Sequence, residues 1–149
     1  MISRILVAID GSEHAKRAIA QAADIAGRYH ASITLLHVLP EPGSSIPLPG
    51  SELFVESGDE PITERSRLDP IGRAILAAAE QEVKAFGVPA TAVLDYGDPA
   101  TRIIDFTRRV RVDLIVMGRR GRGGIAGLLL GSVSHKVAHL TDRTLLTVA

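Results

Sequence analysis

Apolar residues along the chain fall into two spacings that take turns. Continuous runs rich in β-branched residues, from Arg4 to Ile9, Ser32 to Leu39 and Val112 to Met117, have no polar face and suit strands covered on both sides. Two shorter runs, Ala90 to Leu94 and Thr144 to Val148, complete a set of five. Pro89, before the first of these, favours a sheet edge, because proline has no amide hydrogen to donate to a ladder. Between the runs, apolar positions recur every three or four residues. Ala15, Ala18, Ile19, Ala22, Ile25 and Ala26 mark one amphipathic helix, Ile71, Ile75, Ala78, Ala79, Val83 and Phe86 a second, and Ile103, Ile104, Thr107 and Val110 a third. A fourth spans about Ser132 to Leu140.

The punctuation agrees with this order. Ser12 with Glu13 after it, and Asp98 with Pro99 after it, read as helix starts, and Gly87 as a helix stop. Strands alternating with helices predict an α/β fold: an open, doubly wound, parallel five-stranded sheet with helices on both faces, Rossmann-like. Glu41 to Pro70 breaks the pattern, holding most of the prolines and no sustained period, so residues 41–70 read as a long excursion from a single domain over 1–149.

Composition narrows the partners. The 17 basic and 17 acidic residues cancel, so no global field advertises nucleic acid or a membrane surface, and any basic function must be local. With no Cys there are no disulfides, thiolate nucleophiles or thiolate metal sites. With no Trp, 3 Phe and 2 Tyr, the chain lacks platforms for stacking single-stranded bases. No apolar run reaches membrane-spanning length and no signal-peptide pattern opens the chain, so a soluble, cytoplasmic protein without membrane insertion is expected.

In a doubly wound sheet the ligand lies beyond the carboxyl ends of the strands, where strand order reverses. The residues at those ends are Asp10, His37-Val38 and Met117-Gly118. After Gly118 comes a glycine-rich basic loop with Arg119, Arg120 and Arg122, and then Gly131-Ser132 opens a helix. Strand, glycine loop and helix start together aim backbone N–H groups at an anion. A P-loop would need Lys before the final Ser, which Leu130-Gly131-Ser132 lacks, and a dinucleotide fingerprint should follow the first strand of its unit. His135 and His139 have metal-ligand spacing but no third ligand in sequence, so they read as a solvated face. No nucleophile, base and orienter assemble from spacing, and no catalytic or metal residue is assigned.

Gly118-x2-Gly121-x9-Gly131-Ser132 resembles the G-x2-G-x9-G-[S/T] signature of the ATP-binding universal stress proteins. Ile5 to Ser12, Leu35 to Val38, Gly97 to Pro99 and Asp113 to Gly118 are similar to further segments of that family. The resemblance implies adenosine contacts at Ala8, Ile9 and Asp10, the base at Val38, and the ribose over Met117 and Gly118. It implies phosphate donors at Gly121, Gly131, Ser132, Val133 and Ser134, through backbone and hydroxyl groups, while Arg120, in a loop richer in arginine than the family pattern, is a candidate phosphate clamp by its charge. It also implies ATP, accompanied by Mg²⁺, a homodimer paired through Thr144 to Val148, and a regulatory role with at most slow hydrolysis. A nucleotide hydrolase or adenylyl-transferring enzyme, and a module that regulates a protein partner such as a transporter or kinase, remain open on the same fold. Leu140 to Thr144 departs from the family's proline-containing Ala-Pro-Cys-Pro-Val stretch at the position that bears on dimer geometry.

Gly131→Val sets a branched side chain where phosphate would approach. Calorimetric titration should show weakened nucleotide affinity with an unchanged circular dichroism spectrum.

Overall fold

The computed structural model describes residues 1–42, 64–121, 127 and 129–149, with the side chains of 64–66 excepted. The elements are β1 (Arg4–Ala8), α1 (Glu13–Tyr29), β2 (Ser32–Leu39), α2 (Glu64–Ala85), β3 (Ala90–Tyr96), α3 (Pro99–Val110), β4 (Leu114–Gly118), α4 (Ser132–Leu140) and β5 (Thr144–Val148). The strands form one sheet in the order β3-β2-β1-β4-β5 with every pairing parallel. The expected doubly wound α/β architecture is present, and β3, preceded by Pro89, lies at an edge.

Two cores, one on each face, explain why the strand runs are apolar throughout. Ile5, Val7, Ile33, Leu35, Leu114 and Val116 face α1 and α2, where they meet Ala18, Ile19, Ala22, Leu76 and Val83. Their immediate neighbours Leu6, Ala8, Leu36, Ile115 and Met117 face α3 and α4, meeting Ile103, Ile104, Phe106 and Val137. Successive strand residues point to opposite sides, so a run buried on both sides cannot alternate.

The caps form as expected. The Ala15 N–H donates to Ser12 Oγ at 3.2 Å and the Thr101 N–H to Asp98 Oδ2 at 3.0 Å. One boundary differs. The helix expected from Ile71 begins at Glu64, so the last part of the expected excursion is helical and Pro70 lies inside α2. Read in sequence, proline stops a helix; here α2 continues past it at the loss of one backbone hydrogen bond. The Tyr96 hydroxyl at the end of β3 donates to Asp69, the residue before it, and so anchors that turn. Residues 43–63 of the expected excursion, and Arg122, lie outside the described residues.

α1 packs against the end of β4 with no space for a side chain there. A Cβ on Gly118 would stand 2.8 Å from His14 Cβ and 3.0 Å from the Ala15 amide nitrogen. Gly118→Ala should therefore destabilise by ~1–3 kcal/mol, the usual cost of overpacking. Gly27→Ala, on the open face of α1 with nothing within 4 Å, should stabilise by up to about 1 kcal/mol. Urea midpoints of the two variants, shifted in opposite directions, check both.

Candidate functional site

The sheet reverses direction at β1. Strand order runs one way from β1 through β2 to β3 and the other way through β4 to β5, with α1 and α2 on one face and α3 and α4 on the other, which opens a crevice at the carboxyl ends of β1 and β4. β1 also stops short. Its last pairings are Ala8 with Leu36 and Ala8 with Met117, while β2 continues to Leu39 and β4 to Gly118. The space past Ala8 is a cavity of about 330 Å³. All twelve residues singled out in the sequence line it: Ala8, Ile9, Asp10, Val38, Met117, Gly118, Arg120, Gly121, Gly131, Ser132, Val133 and Ser134.

Its two ends differ chemically. One is apolar, formed by Ala8, Leu36, Val38 and Met117 from the sheet and Pro99 and Ile103 from α3. At this end β2 offers backbone groups as well. The Leu36 carbonyl accepts from the Ile9 N–H at 2.9 Å, so even-numbered β2 residues turn their polar groups towards β1. Val38, two residues on, turns its N–H and C=O the same way, past the end of β1 and over the cavity.

The other end is the start of α4. Its N-cap is Gly131, with no side-chain cap bond, whereas Ser12 caps α1 and Asp98 caps α3. The first amides of α4 therefore point at the cavity without the side-chain acceptor that those two helices have. The Gly131 N–H donates to the Arg119 carbonyl at 2.8 Å, which ties the two ends of the glycine loop together. A Cβ on Gly131 would meet Arg120 Cα at 3.3 Å, so any larger side chain presses on the loop.

Asp10 stands between the ends. Its Oδ1 accepts the Ser12 N–H at 2.9 Å, fixing the turn into α1, and it lines the cavity as well. A Cβ on Gly121 would lie 2.5 Å from Asp10 Oδ2, so only glycine lets the loop close over this carboxylate. Arg120 lines the cavity with its Nε buried and unpaired, a donor suited to an anion.

Three expectations change. The Ser134 hydroxyl, expected among the phosphate donors, donates instead to the Arg119 carbonyl at 2.8 Å, which leaves the residue its backbone N–H. Arg119 turns its backbone to β5, its N–H donating to the Val148 carbonyl, and is not in the cavity wall. His37 is not in the crevice. It is buried on the opposite face of the sheet, under α2, because it has the other parity from Val38.

Ala15, Leu36, Pro99, Ile103 and Leu130 also line the cavity, and sequence reasoning did not name them. Leu36 was recoverable, being two residues before Val38 on the same face; Pro99 and Ile103 reach the site only through the packing of α3. Among the described residues no three His, Cys, Asp or Glu side chains converge on a metal position. A second, larger groove of about 510 Å³ between α1 and α2 is lined almost wholly by aliphatic residues.

Asp98 braces the cavity from outside. Besides capping α3 it accepts from Lys136 Nζ of α4 at 2.9 Å, so one carboxylate holds the helix bearing Pro99 and Ile103 against the helix bearing Ser132 to Ser134.

A doubly wound α/β sheet with an apolar slot and an uncapped helix start at its point of reversal defines the class of fold and the place of its crevice. Comparison with known proteins makes the class specific: the model of the Universal stress protein family matches residues 1–149. Universal stress protein YxiE of Bacillus subtilis is 34% identical over 149 residues, 99% of each chain. A universal stress protein solved in complex with cAMP has a TM-score of 0.72 at 26% identity, covering 99% of this chain and 96% of its own. The fold also matches the universal stress protein from Archaeoglobus fulgidus in complex with dAMP, with a TM-score of 0.71 at 18% identity over 100% and 98% of the two chains. The chain belongs to the universal stress protein family. Among the described residues no helix is long and apolar enough to cross a membrane.

Lys136 and Thr101 hold the Asp98 carboxyl at a pKa of about 2, below its ordinary 3.8. A carboxyl depressed on folding adds stability above its unfolded pKa and loses it as pH falls through the folded value. Asp98→Ala should cost ~1 kcal/mol at neutral pH, mainly as a lost helix cap on a half-exposed residue. In urea melts the gap from wild type should persist down to about pH 4 and close towards pH 2.

Proposed function

We propose that this chain binds an adenine nucleotide, ATP with Mg²⁺, and acts as a regulatory protein of the stress response by holding it. The observation that carries this reading is the polarity of one cavity. An apolar slot with a free backbone edge at Val38 lies opposite an uncapped helix start with a buried, unpaired arginine nitrogen. A purine offers an apolar face and a rim of donors and acceptors, which the Val38 N–H and C=O can pair. The phosphates offer anionic oxygens to the amides of Ser132, Val133 and Ser134, the Ser132 hydroxyl and Arg120.

On this reading Asp10, which lines the cavity between the two ends, serves the ribose side. The close approach of Asp10 to Gly121, with no space for a Cβ, fits a loop that folds over the middle of such a ligand. The relatives solved with cAMP and with dAMP support an adenine nucleotide as the ligand class. Mg²⁺ would be held chiefly by the phosphates and water, as it commonly is with nucleotides.

Binding rather than turnover is the favoured role, because among the described residues of the cavity wall the one carboxylate, Asp10, accepts the Ser12 amide and fixes the turn into α1. The same reading puts the protein in the cytoplasm as one domain, paired with a second copy through the outer edge of β5.

Ligand released from purified protein by denaturation should run as an adenine nucleotide on ion-exchange chromatography, and calorimetry on the stripped protein should give micromolar or tighter affinity for Mg-ATP. Stripped protein that takes up no adenine nucleotide would reject the reading. Turnover at a typical enzymatic rate, roughly 1 to 10³ per second, would instead favour the hydrolase alternative.

A further inference from the structure

The histidine on the reverse face of the sheet has a part in the cavity that it does not touch. Ile9 is the last residue before Asp10, and β2 grips it at both of its polar groups. Its N–H donates to the Leu36 carbonyl at 2.9 Å, and its C=O lies 2.7 Å from His37 Nδ1. A carbonyl only accepts, so Nδ1 carries the hydrogen and the ring is the donor.

This bond replaces an ordinary one. Had the β1–β2 ladder continued, the Ile9 C=O would accept from the Val38 N–H, since parallel pairing bonds one residue to the two that flank its partner. His37 is that partner, and its side chain takes the carbonyl in place of the Val38 amide. Val38 N–H is thereby left facing the cavity with no backbone carbonyl opposite it among the described residues. The same bond fixes the peptide plane joining Ile9 to Asp10, and so sets the direction in which Asp10 enters the cavity.

The ring is held firmly enough to act as a strut. His37 is 7% exposed, and α2 closes on it at Gly72, where a Cβ would come within 3.3 Å of His37 Cδ2 and 2.8 Å of Leu94 Cδ1. Space for the imidazole thus depends on the absence of a side chain at Gly72.

We propose that His37 is a positioning residue for the nucleotide cavity, acting through the Ile9 carbonyl to expose the Val38 amide and to orient Asp10. The role rests on the nucleotide reading above for its ligand, and on geometry alone for its mechanism. It concerns only the base and ribose end, since the phosphate donors hang on α4 and on the Arg119 carbonyl.

Adenosine and inorganic tripolyphosphate are the probes, titrated calorimetrically into wild type, His37→Leu and His37→Asn. His37→Leu removes the donor, and adenosine affinity should fall about tenfold while tripolyphosphate stays within about twofold. His37→Asn can donate its amide from near the Nδ1 position and should keep adenosine affinity. Unchanged adenosine affinity in His37→Leu, or equal losses for both probes, overturns the role.

If wild type binds neither probe, the nucleotide reading fails and hydrogen exchange decides the remainder. The Ser12 amide, bonded to Asp10, should exchange faster in His37→Leu than in wild type or His37→Asn, and equal rates overturn the role. In wild type itself, imidazole nitrogen shifts showing the Nε2–H tautomer overturn it whatever the variants do.

Discussion

The structure depends on a central strand that ends before its neighbours. β1 pairs on both sides from Arg4 to Ala8 and then leaves the sheet, while β2 runs three residues further and β4 one. A full-length β1 would bury the polar groups of Val38 in a ladder and fill the space below α3 and α4. A β1 shorter by one pair would uncover the core at Leu36 and Met117. The turn at Asp10-Gly11-Ser12 sets that length, because the Asp10 carboxylate draws the Ser12 amide back and Ser12 starts α1 at once. The cavity is therefore a gap in the sheet's hydrogen bonding as much as a hollow in its surface, and this is why it has both an apolar wall and polar backbone.

Around this gap two kinds of closure cooperate. At the α4 end the glycine loop is pinched where Gly131 N–H meets the Arg119 carbonyl, and the Ser134 hydroxyl donates to that same oxygen. At the apolar end Asp98 joins α3 to α4 through Lys136. The first is a backbone contact between half-buried residues. The second is an ion pair open to water and worth correspondingly little by Coulomb attraction, so the cap geometry at Asp98 contributes more than the charge.

Much of this was legible in the sequence, for local reasons. Arg4 to Ile9 suited a strand covered on both faces, and Ser12, Asp98 and Pro99 announced helix starts, because caps and turns are decided by a few adjacent residues. Part of the cavity wall was legible through spacing, since Gly118, Gly121 and Gly131 mark where backbone approaches backbone, while Ala8, Ile9, Val133 and Ser134 were named only through the family resemblance. What was not legible required knowing what lies across the fold. His37 and Val38 are neighbours in sequence, yet pleating sends them to opposite faces, and nothing local says which one the crevice receives. Pro99 and Ile103 are ordinary core positions of an amphipathic helix until α3 is packed over the end of β2. The start of α2 was misjudged for the converse reason: Pro70 is a strong local stop, overridden by the packing of α2 on β2 and β3.

The bare amino end of α4 has a thermodynamic consequence. Helices α1 and α3 contain their own caps and are complete as synthesised, but α4, nine residues long and opened by a glycine, is too short to be stable by itself in water. On the nucleotide reading, its missing cap is a solute. The order of α4 then becomes a function of ligand concentration, gaining about 2.7 kcal/mol when free ligand is a hundredfold above its dissociation constant. Such a segment works as a gauge. On that same reading, the supply of the ligand is written into the firmness of one helix.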